Sequence, residues 1–155
     1  MFWGAFRLSR MRPGLFFELK NGQTVDFTVY RDQILLEPLK KFWEKAFEEV
    51  NEPIVMENNA PVHKKVCIPV REQLGMISLR HPPNSPDLNP IENIWGHIKN
   101  IIAKDYSDIS SEEEMMRIVL RLWMDFTDNQ WDNLIRCMPD KMRAVVAARG
   151  GSIAS

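Results

Sequence analysis

Apolar positions along this 155-residue chain recur with two periods, one of two residues and one near 3.6, and the switches between them mark the elements. Residues 1–8 and 15–20 read as strands, with Pro13-Gly14 in the turn between them and Asn21-Gly22 closing the second, a hairpin pattern. From Thr28, taken as an N-cap, to Val50, the positions Ile34, Leu35, Leu39, Phe42, Trp43, Phe47 and Val50 recur at helical spacing, with Pro38 as a local bend. Residues 54–56 read as a short buried strand. A helical region follows from Asn58-Asn59-Ala60-Pro61, is divided by Pro69 and ends before Gly75; residues 76–79 form a second buried strand.

Residues 81–88 hold three prolines with Asn84 and Ser85 and read as an ordered loop. Asn89 as N-cap, Pro90 at the first helical position and Glu92 three residues after the cap then make a capping-box pattern. Behind it Ile91, Ile94, Trp95, Ile98, Ile101 and Ile102 form one apolar stripe, which is core. Ser111 with Glu114 caps the next helix, whose inner face is Met115, Val119, Leu122, Trp123 and Phe126. Trp131, Leu134, Ile135 and Met138 mark another, and Pro139 opens the last, with Met142, Val145 and Val146 inward and Gly150 as its stop. Strands and helices interleave and then give way to helices alone, which predicts an α/β sheet with an all-helical C-terminal third in one domain.

Composition narrows the partners. Apolar residues are 45% and charged residues 26%, an ordinary globular balance, and no apolar run approaches the ~20 residues that cross a bilayer. Met1 to Phe6 lacks the charged start and long apolar stretch of a signal peptide. Twenty basic against 21 acidic residues give a net charge of −1, so any contact with nucleic acid must come from a local patch. Cys67 and Cys137 lack metal or redox spacing and read as ordinary thiols.

Two stretches carry a family resemblance. Glu57-Asn58-Asn59-Ala60-Pro61-Val62-His63 resembles the DNAPxH signature of mariner-like (Tc/mariner) transposases, and the run from Ser85 through Asp87, Asn89, Pro90 and Glu92 to Trp95 is similar to their SPDLNPIENxW signature. Met1-Phe2-Trp3-Gly4 resembles the family's apolar strand ending in WG, and Leu134-Ile135, Met138-Pro139 and residues 144–151 resemble its C-terminal segment. The resemblance implies an RNase H-like fold of the DDE transposase kind: a mixed α/β sheet with flanking helices, here with the first strand missing. Residues 1–155 would then be a partial DDE endonuclease domain, without the family's N-terminal helix-turn-helix DNA-binding domain. The chain alone is on that reading expected to be unstable or to aggregate, because the missing strand would leave sheet edges unpaired.

In-line attack on a phosphodiester uses two divalent ions about 3.5–4 Å apart, which need anionic oxygen ligands and a carboxylate to bridge them. The resemblance implies three such carboxylates and a Mg²⁺ or Mn²⁺ cofactor. The first Asp of the pattern lies upstream of the strand that begins at Met1. The second falls on Asn58, a neutral amide with an oxygen but no charge, and the third on Glu92, with 33 residues between the two. Glu92 is therefore the surviving metal ligand and Asn58 a degenerate one. Glu57 neighbours Asn58 on a strand and so points to the opposite face, away from the lost charge. Asp87 reads as an Asx-type loop residue, His63 and His97 as surface or supporting residues, and Lys64, Lys65, Lys99 and Lys104 as solvated lysines that could also line a nucleic-acid face.

The functional expectation is a transposase catalytic-domain remnant that no longer cuts DNA and does not hold its metals productively. Its alternatives are a domesticated nucleic-acid- or protein-binding module, and an active transposase shortened in its gene model. The implied partner is DNA, bound weakly and without sequence preference; self-association is open, and neither a membrane nor a small-molecule substrate is expected. The family resemblance implies a nuclear location.

Overall fold

The computed structural model describes residues 1–8, 12–16, 19, 24–58, 60–79, 82 and 85–151. They fall into two compact units, Met1 with Phe16–Ser85 and Phe2–Leu15 with Pro86–Ser155. The expected Asn21-Gly22 turn lies outside the described residues.

The first unit is built on one long helical stretch in three parts. Helix α1 (Phe27–Tyr30) starts at Asp26 rather than Thr28, because the Asp26 carboxylate accepts from the backbone N–H groups of Thr28 and Val29 at 2.8 and 2.9 Å. The chain then widens into π-helical turns over Arg31–Leu39 and returns to α2 (Lys40–Glu49). Pro38 sits within the wide turns and produces no break: Pro has no N–H to place, and the Lys40 N–H spans back to the carbonyls of Leu35 and Glu37. Ile34, Leu35 and Leu39 are buried as the stripe predicts, whereas Phe47 and Val50 are exposed and Ala46 takes the inner position of α2.

Strands β3 (Ile54–Val55) and β4 (Ile77–Ser78) pair in parallel, Ile54 opposite Ile77 and Val55 opposite Ser78. They were expected to be buried; instead Ile54 and Ile77 are 59% and 46% exposed, because these side-by-side residues share the outer face of the pair. Between them come a short 3-10 turn, Pro61–His63, and helix α3 (Cys67–Gln73). The interruption falls at Lys64 to Val66, with Lys65 at φ 53°, and Pro69 lies in the first turn of α3, where its missing N–H is not needed. Gly75, at φ 71°, ends the helix.

The second unit packs β1 (Phe2–Gly4), its partner β2 (Gly14–Phe16), of which Gly14 and Leu15 belong to this unit, and four helices, α4 (Ile91–Asp105), α5 (Glu112–Asp125), α6 (Asp128–Arg136) and α7 (Met138–Ala147). Its centre is aromatic. Trp123 is fully buried, stacked on Trp95 with ring centroids 5.1 Å apart and meeting Phe2 and Trp131 edge-on. Its indole N–H donates to the Arg12 carbonyl at 3.2 Å. A Cβ on Gly4 would overlap the Trp123 ring, and one on Gly14 would stand 2.7 Å from the Phe2 ring, so both glycines make room for this cluster. Gly14 thus belongs to a strand rather than to the turn assigned to Pro13-Gly14.

The stripe on α4 is core as read, with Ile94 and Ile98 at its centre. On α7 the expectation fails for Met142 and Val146, which are exposed, while Val145 is half-buried. The mixed sheet predicted from the sequence appears, among the described residues, as two separate two-stranded sheets flanked by helices.

Candidate catalytic site

Asn58 lies three residues beyond β3, past the carboxyl end of a parallel strand, which is where open α/β sheets place functional side chains. Its Oδ1 accepts the Ala60 N–H at 3.1 Å, closing an Asx turn. Only an oxygen can accept from that N–H, which fixes the amide's orientation and leaves Nδ2, a pure donor, as its other polar atom. Asn58 thus brings one oxygen and no charge, and that oxygen is shared with the Ala60 N–H.

The turn is anchored from beneath. Glu57 points inward, one carboxylate oxygen accepting from Tyr30 Oη and the other from Arg71 Nη1 at 2.7 Å. Arg71 Nη2 donates to the His63 carbonyl, and His63 Nδ1 lies 3.0 Å from the Asn58 carbonyl. A carbonyl only accepts, so Nδ1 carries the proton and His63 is in a defined tautomer. The His63 ring also packs on that of Tyr30, with centroids 4.5 Å apart. Arg71 is 6% exposed and Tyr30 4%. Burial, reinforced by the adjacent Glu57 carboxylate, holds the Tyr30 phenol well above the ordinary tyrosine range, so it stays a donor. Removing one member of a buried ion pair strands the other charge, at about 3–5 kcal/mol. Nothing in the linear spacing marks this network, since Tyr30 and Arg71 stand on different helices and Glu57 in the loop after β3.

Cys67 is fully buried, with Sγ directed at the carbonyls of Val62 and Phe27 at 3.3 and 3.5 Å, and burial raises its pKa, so it is an inert thiol of the core. Lys64 and Lys65 are exposed, Lys65 with its ammonium 5.5 Å from the Phe27 ring centroid.

Glu92 belongs to the second unit, half-buried in the first turn of α4, where the helix dipole favours a carboxylate. The expected capping box is absent. The helix begins at Ile91 after Pro90, which is already in the α conformation, and no side chain caps it. The position before the helix is Pro90, whose side chain has no acceptor to offer, and Asn89 is buried one residue earlier with its N–H on the Pro86 carbonyl at 3.0 Å. Asp87, half-buried in that turn, makes none of the described side-chain bonds to a loop amide, contrary to its expected Asx role. His97 is exposed and meets the Phe126 ring edge-on, 5.0 Å between centroids. Lys99 and Lys104 are exposed on α4.

Residues 12–115, two thirds of the chain, match the family model for the DDE superfamily endonuclease. The chain belongs to this family. Among relatives of the DDE endonuclease, the Tc3 transposase of Caenorhabditis elegans is 28% identical over 154 residues, covering 99% of this chain and 45% of that protein. The Tcb2 transposase of Caenorhabditis briggsae is 27% identical, covering 97% and 52%. The chain thus spans about half the length of the curated relatives it matches. The catalytic domain of Mos1 transposase, solved with raltegravir and Mn, aligns with a TM-score of 0.76 at 20% identity over 99% of this chain and 82% of that one. The Mos1 paired end complex with Mn aligns at 0.72 and 23% identity, over 86% and 39%. The fold is that of the Mos1 catalytic domain, the RNase H-like fold that the motifs implied.

For a divalent cation Asn58 brings no charge and an oxygen already bonded to the Ala60 N–H, and both oxygens of Glu57 are hydrogen-bonded within the first unit.

Proposed function

We propose that this chain is a DDE endonuclease domain that keeps the family fold but is silent in DNA cutting and joining. The observation that carries the reading is the state of position 58. In the mariner-like pattern this position is an acid; here it is an amide whose oxygen closes its own turn. Of the two positions of the acidic pattern within these 155 residues, Asn58 and Glu92, only Glu92 brings charge, and a site short of the carboxylate at 58 loses charge that would offset the mutual repulsion of two cations. DNA is the partner this reading retains, held weakly through exposed lysines, and a nuclear location goes with it.

Manganese titration followed by electron paramagnetic resonance tests the proposal without requiring turnover. No saturable Mn²⁺ binding is expected for the chain. Saturable binding that disappears in Glu92→Gln would overturn the reading.

A further inference from the structure

We propose that Arg71 is the positioning residue of the turn that carries position 58, and that the turn therefore outlasts the loss of its acid. Tyr30 meets both ends of the turn, its phenol at Glu57 and its ring against His63, but it hydrogen-bonds only the first. Arg71 holds both ends: Nη1 grips Glu57, directly before Asn58, and Nη2 grips the carbonyl of His63, the last residue of the 3-10 turn. The two grips fix the separation of residues 57 and 63. Within that span the Asn58 side chain bonds the Ala60 N–H and the Asn58 carbonyl meets His63 Nδ1. The planar guanidinium has donors in a rigid fork and reaches two acceptors at a set angle, which a lysine ammonium does not reproduce. The fork is pinned in turn by its helix, since α3 is bonded through its end to the start of β4, the Met76 N–H donating to the Arg71 carbonyl at 2.9 Å.

The side chain at 58 takes no part in this fork. A carboxylate there would accept the same Ala60 N–H with one oxygen and leave the second free, so Asn58→Asp is predicted to enter a turn already formed. The inference rests on reading position 58 as that of the family's second acidic ligand, but its test does not involve cleavage or metal.

The test is amide hydrogen exchange at Ala60, together with ¹⁵N NMR of the His63 ring, on the full 155-residue chain. The variants are Arg71→Lys, Arg71→Met, Asn58→Asp and the paired Glu57→Gln/Arg71→Met, which removes both charges so that neither is stranded. In the paired variant, Ala60 exchange is expected to rise at least ~10-fold and the single Nδ1–H tautomer of His63 to give way to a mixture, with the amides of α2 unchanged. Arg71→Met, where it folds, should do the same; Arg71→Lys should recover part of the protection, and Asn58→Asp should leave both signals as they are. Unchanged Ala60 exchange in the folded paired variant would overturn the proposal. So would an equal rise across α2 and α3, which would make Arg71 a general support of the unit.

Discussion

Tyr30 shows how a single side chain couples the candidate site to the core. Its phenol donates to Glu57 from a buried position, and its pKa is raised by that burial and then by the neighbouring carboxylate charge. A raised folded-state pKa contributes stability that is fully present below the unfolded value of about 10 and is lost as pH rises toward the folded one. Urea unfolding should therefore show falling stability above about pH 10, and Tyr30→Phe should flatten that fall. An identical alkaline profile in the variant would refute the assignment. Gly4 gives a second prediction at this scale: a methyl group would meet the buried Trp123 ring, so Gly4→Ala should cost about 1–3 kcal/mol, read as a lower urea midpoint. The sequence disclosed the loss at position 58 through its motif, yet not what the amide does. Oδ1 takes part in a turn whose anchors lie 27 residues before Glu57 and 14 residues after it, beyond any local pattern.

Helix starts show why some elements were legible and others not. A side-chain cap needs an extended residue before the helix. Ser111 meets that condition and accepts the Glu114 N–H at 3.1 Å, as the sequence suggested. Before α4 that place is held by Pro90, already in the α conformation and with no side-chain acceptor, so a run of the right letters makes no cap. The full capping box lies before α6, where Thr127 and Gln130 bond reciprocally. Replacing Thr127 by Ala should lower stability by about 1 kcal/mol, and Asn89→Ser should give no capping gain; equal responses at the two sites would show that cap geometry is not what separates them. Apolar stripes were read well where both faces of the pattern are decided inside one unit, as on α4. They misled at Phe47, Met142 and Val146, where spacing gives a stripe's direction but not how far its partner extends. The same holds for the strands. Ile54 and Ile77 read as buried from their apolar run, yet they lie exposed on one face of a two-stranded pair, a surface prone to association. Ile54→Thr with Ile77→Thr should reduce light scattering on storage without lowering the unfolding midpoint.

At the scale of the whole molecule, two motifs sufficed for the family and its fold, because they record where the chain turns from strand to candidate site and from loop to helix. The net charge of −1 sets the expectation for DNA: sequence-independent binding at ~10⁻⁴ M or weaker at physiological salt, weakening further as salt rises. A footprint on one sequence at nanomolar protein would contradict it. The central claim is that the fold survives without its chemistry, and a DNA nicking assay in Mg²⁺ and in Mn²⁺ tests it most directly, with the chain, Asn58→Asp and Glu92→Gln compared side by side. The chain should nick no faster than Glu92→Gln in either metal, and Asn58→Asp, which adds one carboxylate to one, should not rescue it. Metal-dependent nicking by the unaltered chain, abolished by Glu92→Gln, would contradict the account.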